Sequence, residues 1–196
     1  MSKAFPRFLT NDEQRLIQVT NNKLREEFCQ HDKPQSDLYD SYFTEAFRQD
    51  KSGELVTHQG DDWCDTLMNF RDGANTVIGT LAEYIAHLAY LRGSRRVTLL
   101  HGKAFQMTDR DFLVDDRSYV SIKKYAGDSS MRLADDYFMR NSPELTHITF
   151  VQLRTLKCYE FDIGPLRTFF HLHRRPDRNN GYIYERVSAL TSHTTL

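Results

Sequence analysis

Residues 147–163 read HITFVQLRTLKCYEFDI, a run of β-branched and aromatic residues with few breakers. Such side chains lose rotamer freedom in a helix but pack well on a pleated surface, so the run predicts one bent strand or two. Gly164-Pro165 closes it. Upstream, RVTLLHGKAFQM (96–107) and FLVDDRSYVSI (112–122) hold shorter β-rich stretches with imperfect alternation. Downstream, LRTFFHLHRR (166–175) and YIYERV (182–187) flank Asn180-Gly181, a dipeptide that tolerates the positive φ angles of a tight turn, so a last hairpin is expected. Between these strands, GDSSMRLADDYFMRNSPE (127–144) reads as a long exposed connection, an insertion near 127–144.

The first half of the chain has a helical period instead. Thr10 followed by Glu13 matches a capping box, in which hydroxyl and carboxylate satisfy free amides at a helix start. Leu16, Val19, Leu24 and Phe28 then recur at roughly helical spacing, and CQHDKP ends the run at Pro34. Ser36 can cap a second helix with Leu38, Tyr39, Tyr42, Phe43, Ala46 and Phe47 on one face, broken at RQDKSGE. A third helix is expected from near Asn75, with Val77, Ile78, Leu81, Tyr84, Ile85, Leu88 and Leu91 as its stripe, stopping near RGSRR. Helices first and strands after define an α+β chain: N-terminal helices packed on a curved, mostly antiparallel C-terminal sheet. A single domain over 1–196 is expected, with helices in 1–34 and 36–92 and the sheet in 96–190.

Composition narrows the function classes. A net charge of -1 gives no global pull toward nucleic acid or an anionic membrane, so such binding needs a local patch. Cys29, Cys64 and Cys158 are widely spaced and odd in number, which is no secretory disulfide framework. No apolar run approaches a membrane span, and MSKAFPRFLTNDEQ lacks a signal-peptide core. The expectation is a soluble intracellular protein with no membrane partner. No glycine-rich phosphate loop or dinucleotide fingerprint is present, and no cofactor is expected.

Several constellations carry chemistry. In TFFHLHRRPDRNNGYIYERVSAL (168–190), His171 and His173 share a strand face with Phe169, and Tyr182 and Tyr184 share a face on the next strand. His-hydrophobe-His is the metal-holding pattern of the HUH nickases, where a cation polarises a phosphodiester and a tyrosine attacks it. A third ligand is not evident, and alternating polarity on a half-solvated strand accounts for the same residues. HITF places His147 in a two-histidine phosphoesterase pattern, but its second copy would be His193 to Thr195 at a frayed end. Among the pairs Asp61-Asp62, Asp115-Asp116 and Asp135-Asp136, only Asp115-Asp116 precedes a suitably placed lysine, Lys123. Ser121 stands two before Lys123, where a two-metal nuclease wants a carboxylate, so that class is not favoured. Arg92, Arg95 and Arg96, and again Arg174, Arg175 and Arg178, are basic clusters able to grip phosphates. Trp63, in GDDWCD, either packs in the core or anchors a partner.

Three segments carry a resemblance. SYFTEAFRQDKSGEL (41–55), NFRDGANTVIGTLAEY (69–84) and the 168–190 hairpin are similar to the aromatic helix, the Gly turn with its Ile/Leu helix, and the last hairpin of the cone-shaped domains named after nuclear transport factor 2. The middle of the sheet is poorly matched. That resemblance implies a cone of helices on a curved sheet, serving either as a pocket enzyme or as a dimeric protein-binding module. The reading adopted is a non-enzymatic interaction or assembly module, homo- or heterodimeric, with Trp63, Phe169, Tyr182 and Tyr184 at its interface. The alternative is a cofactor-free isomerase, dehydratase or cyclase using a His or Asp as acid/base, with His171 or His173 in that role and Tyr39 or Tyr42 as hydrogen-bond donors.

Overall fold

A computed structural model of the chain describes residues 11–28, 75–100, 110–125, 131–133, 143–165, 182–184 and 194–196. The fold is α+β. The chain divides into two compact units, Met1–Leu88 and Ala89–Leu196. The second unit contains a mixed six-stranded sheet that is not closed.

In the first unit, helix α1 spans Asn11–Glu27, starting one residue after the expected cap Thr10, which lies outside the described residues. Among its described side chains Thr20, Asn21 and Leu24 are buried, as is Phe28 just past its end, an i, i+4, i+8 ridge with one neighbour. Val19, expected on that stripe, is exposed at 42%. At 100° per residue it points about 150° away from the centre of the buried ridge, so near-helical spacing in the sequence placed it on the wrong side.

Helix α2 spans Asn75–Arg92 and carries the chain from the first unit into the second. The expected stripe residues Ile78, Leu81, Tyr84, Ile85 and Leu88 are buried, and so are Ala82, Ala86, His87, Ala89 and Tyr90. Every residue from Tyr84 to Tyr90 is covered, so α2 has no solvated face there. Its end is a Schellman motif: the Arg95 N–H donates to the Tyr90 carbonyl at 3.0 Å and the Ser94 N–H to the Leu91 carbonyl at 2.8 Å. The left-handed residue is Ser94, with φ 58°, and not the adjacent Gly93. The stop near RGSRR is therefore as expected, while the special conformation falls one residue past the glycine.

The sheet of the second unit comprises β1 (Val97–Leu99), β2 (Phe112–Val114), β3 (Ser118–Tyr125), β5 (Leu145–Gln152), β6 (Lys157–Asp162) and β8 (Thr194–Thr195), in the order β1-β2-β3-β5-β6-β8. β3 and β5 run parallel, and the other four neighbours are antiparallel. HITFVQLRTLKCYEFDI is thus two strands, joined by a turn over 153–156 that holds neither Gly nor Pro. Leu156 takes the left-handed position there, with φ 55°. β5 fails to alternate because it is central. Ile148 and Phe150 are buried on one face, Thr149 and Val151 on the other. Phe150 meets Phe161 edge-on at 5.6 Å between ring centroids, and Tyr90 meets Phe112 at 6.3 Å.

Parallel neighbours need a crossover of a dozen or more residues, so 126–144 is the obligatory link between β3 and β5. Within the stretch 127–144, expected as a long connection, lies the short strand β4 (Met131–Leu133). β4 pairs antiparallel with β7 (Tyr182–Tyr184) as a separate two-stranded sheet. The frayed end expected around Thr195 is corrected: β8 pairs with Tyr159 and Glu160, and the Leu196 N–H donates to the Cys158 carbonyl at 3.1 Å. Thr146 is an extra residue in β5, and its hydroxyl donates to the Tyr119 carbonyl at 2.9 Å across the bulge.

A left-handed Ser costs about 1–2 kcal/mol, partly offset because Gly loses more freedom on folding, by roughly 0.5–1 kcal/mol. Ser94→Gly should therefore raise the thermal midpoint by about 2 °C, whereas the β-branched Ser94→Val should lower it. Paired thermal denaturation of the two variants checks this, and a Val variant as stable as Gly would contradict the assignment.

Candidate functional site

Most of the residues singled out by sequence lie outside the described residues: Tyr39, Tyr42, Trp63, Phe169, His171 and His173, with Arg174, Arg175 and Arg178. Tyr182 and Tyr184 are described as backbone, in β7, where they oppose Leu133 and Met131 respectively. His147 sits half-buried beside the β5 bulge, its Nδ1 2.9 Å from the Thr146 hydroxyl. Among the described residues, no three His, Cys, Asp or Glu side chains group as metal ligands. Cys158 is a buried thiol pushed up to about 12 by burial, far from a reactive thiolate.

The pair Asp115-Asp116, considered above as nuclease carboxylates, forms the tip of the β2–β3 hairpin. Both residues have positive φ, 53° and 57°, and the Arg117 N–H donates to the Val114 carbonyl at 3.2 Å, the marks of a type I′ turn. Asn-Gly is the usual choice for that turn, so two aspartates need another reason. Asp115 accepts from Arg95 Nε at 2.9 Å and from the Arg96 N–H at 3.0 Å, while Asp116 pairs with Arg96 at 2.9 Å. These bonds hold the Asp115 carboxyl below its usual range, the Arg95 hydrogen bond contributing most. The Arg95-Arg96 part of the first basic cluster is thereby committed to internal ion pairs.

Arg95 also reaches Glu160 on β6, at 2.8 and 3.1 Å to the two carboxylate oxygens. Glu160 is buried, and its Oε2 accepts from the Tyr90 hydroxyl. Because the phenol's one proton is given to Glu160, the Thr149 hydroxyl, 2.6 Å away, donates to the Tyr90 oxygen. The Arg95 guanidinium lies 4.9 Å from the centre of the Tyr90 ring, adding a cation–π contact. Burial first, then the neighbouring Glu160 charge, raise the Tyr90 phenol far above its ordinary value. Burial alone would pull Arg95 down, but its bonds to Asp115 and Glu160 reverse that and hold it cationic.

This cluster ties the last turn of α2, the 95–96 segment, the hairpin tip, β5 and β6 together. Chemically it is a closed circuit: the acid, the base and both hydroxyls already serve one another. Sequence reasoning missed Tyr90, Thr149 and Glu160 because each looks ordinary in its own element. The available signal was Glu160 itself, a carboxylate flanked by Tyr159 and Phe161 in the middle of a strand, which when buried demands a cation.

Compared with known proteins, the chain matches no protein-family model and no curated protein sequence.

His87, on α2 in the first unit, is buried, and burial lowers its imidazole to about 4. A base depressed in the folded state contributes stability above its unfolded value near 6.5 and loses it as pH falls through about 4. Denaturant unfolding should therefore lose stability between pH 6.5 and 4, approaching about 3 kcal/mol from this group alone. In His87→Gln that slope should flatten, and an unchanged slope would contradict the assignment.

Proposed function

We propose that the chain is a non-enzymatic protein-interaction or assembly module that acts inside cells as a dimer, most simply of two copies of itself. The observation that supports this is the open sheet. Its order ends on β1, which pairs among the described residues on one side only, with β2. Leu100 N donates to Asp111 and Asp115 N to the Arg96 carbonyl, so the even-numbered residues of this segment face β2. Antiparallel alternation then turns the backbone groups of Val97 and Leu99 to the outer side. Val97-Thr98-Leu99 is uncharged and carries no proline, the devices by which edge strands usually resist pairing. An antiparallel pair across a two-fold axis needs one such strand from each copy, which makes the edge self-complementary.

The saturated Tyr90–Arg95–Glu160 circuit fits the same reading, since groups bonded to one another serve rigidity better than turnover. A relationship to the cone-shaped transport-factor domains accords with helices preceding a mixed sheet, and with the dimeric habit the resemblance implies.

Leu99→Pro removes one outward N–H while sparing the inward ladder. In sedimentation analysis the parent chain should be dimeric at micromolar concentration and the variant at least tenfold weaker in association, with unchanged circular dichroism. A monomeric parent, or a dimer indifferent to Leu99→Pro, would overturn the reading. In the first case, a heteromeric partner on the same edge becomes the occupant to seek.

A further inference from the structure

We infer that two copies of the chain meet on β1 in one register, with the two-fold axis passing between Thr98 of one copy and Thr98 of the other; this rests on the reading of the β1 edge given above. Inside the sheet Thr98 lies opposite Leu113, Leu100 bonds to Asp111 and Arg96 to Asp115, so the outward backbone groups are those of Val97 and Leu99. An antiparallel pair that brings those groups face to face within the strand can be centred on Val97, Thr98 or Leu99. Centring on Thr98 sets Val97 against Leu99 of the second copy, and Leu99 against its Val97. Both outward residues then exchange their N–H···O bonds. Centring on Val97 carries Leu99 past the start of the second strand, and centring on Leu99 carries Val97 past its end.

Charge selects the same register. Arg96 is exposed and stands just ahead of β1, on the same face as Thr98. With the axis at Thr98 the two Arg96 positions lie about 13 Å apart along the strands, and with the axis at Val97 they close to about 7 Å. Like charges that near on one face oppose pairing.

The side chains agree. Val97 and Leu99 are half-buried and lie opposite the buried Val114 and Phe112. Across the axis each meets the other, which continues that apolar face from one copy into the next. On the opposite face Thr98 is exposed, in a row with the half-buried Leu113 and Tyr119. Thr98 thus faces its own counterpart in a non-hydrogen-bonded pair, where side chains come closest and two threonine hydroxyls can bond.

Single cysteines read the register. A non-hydrogen-bonded pair sets its Cα atoms about 4.5 Å apart, within disulfide reach. Val97 and Leu99 each lie about 8–9 Å from their own counterparts in this register, too far to bridge. Thr98→Cys, Val97→Cys and Leu99→Cys are made in the full chain and oxidised beside the parent, whose Cys29, Cys64 and Cys158 set the background. Disulfide-linked dimer is followed on gels, and sedimentation in reductant reports association. Thr98→Cys should cross-link at least tenfold faster than the other two variants or the parent, and adding Leu99→Pro should cancel the difference. A dimer that Leu99→Pro weakens, but that cross-links fastest through Val97→Cys or Leu99→Cys or through none of the three, overturns the register and leaves the edge reading standing. A monomeric parent, with no variant cross-linking above background, removes the edge reading and the register with it.

Discussion

Everything described in the second unit depends on how the Glu160 carboxylate is compensated. A carboxylate withdrawn from water costs several kcal/mol unless a cation and hydrogen bonds replace its hydration. Glu160 has both, from Arg95 and Tyr90. Arg95 can deliver its guanidinium because the Schellman motif at the end of α2 fixes its backbone, and the same residue holds Asp115 in a turn that aspartate enters reluctantly. Helix end, hairpin tip and the β5–β6 ladder are therefore set by one mutual requirement. Removing any member leaves a charge or hydroxyl in the interior without its partner, a larger loss than the bond itself is worth.

The second organising constraint is the parallel register of β3 and β5. It places a central strand under cover on both faces and forces a long crossover. It leaves the outer strand β1 outside the crossover, while the residue just ahead of β2, Asp111, ties its carboxylate to Ser121 and Ile122 in the middle of β3.

The helix-then-strand order was legible because hydrophobic period is a local property. α2 begins at Asn75 as the stripe implied, and its stop near Gly93 followed from local chemistry. The β5–β6 turn was not legible, since it contains neither Gly nor Pro and its left-handed residue is a leucine. The strand at Met131–Leu133 was hidden for another reason: three residues are too few to show a period, and their partner lies some fifty residues away. Of the candidate residues in the 168–190 stretch, Tyr182 and Tyr184 are the ones among the described residues, opposite a strand that the sequence did not suggest. The Tyr90–Glu160 bond spans seventy positions, and nothing in either segment names the other. Long-range pairing of that kind is settled by tertiary geometry, and only the oddity of an acid between Tyr159 and Phe161 in mid-strand announced it.

The most direct test of this account is a double-mutant cycle on unfolding free energy with Tyr90→Phe, Glu160→Gln and the pair. A mutually dependent circuit predicts a coupling of about 1–3 kcal/mol between the two sites. Additivity within about 0.5 kcal/mol would show that the two residues are independent, and that something other than this circuit holds the helix end to the sheet.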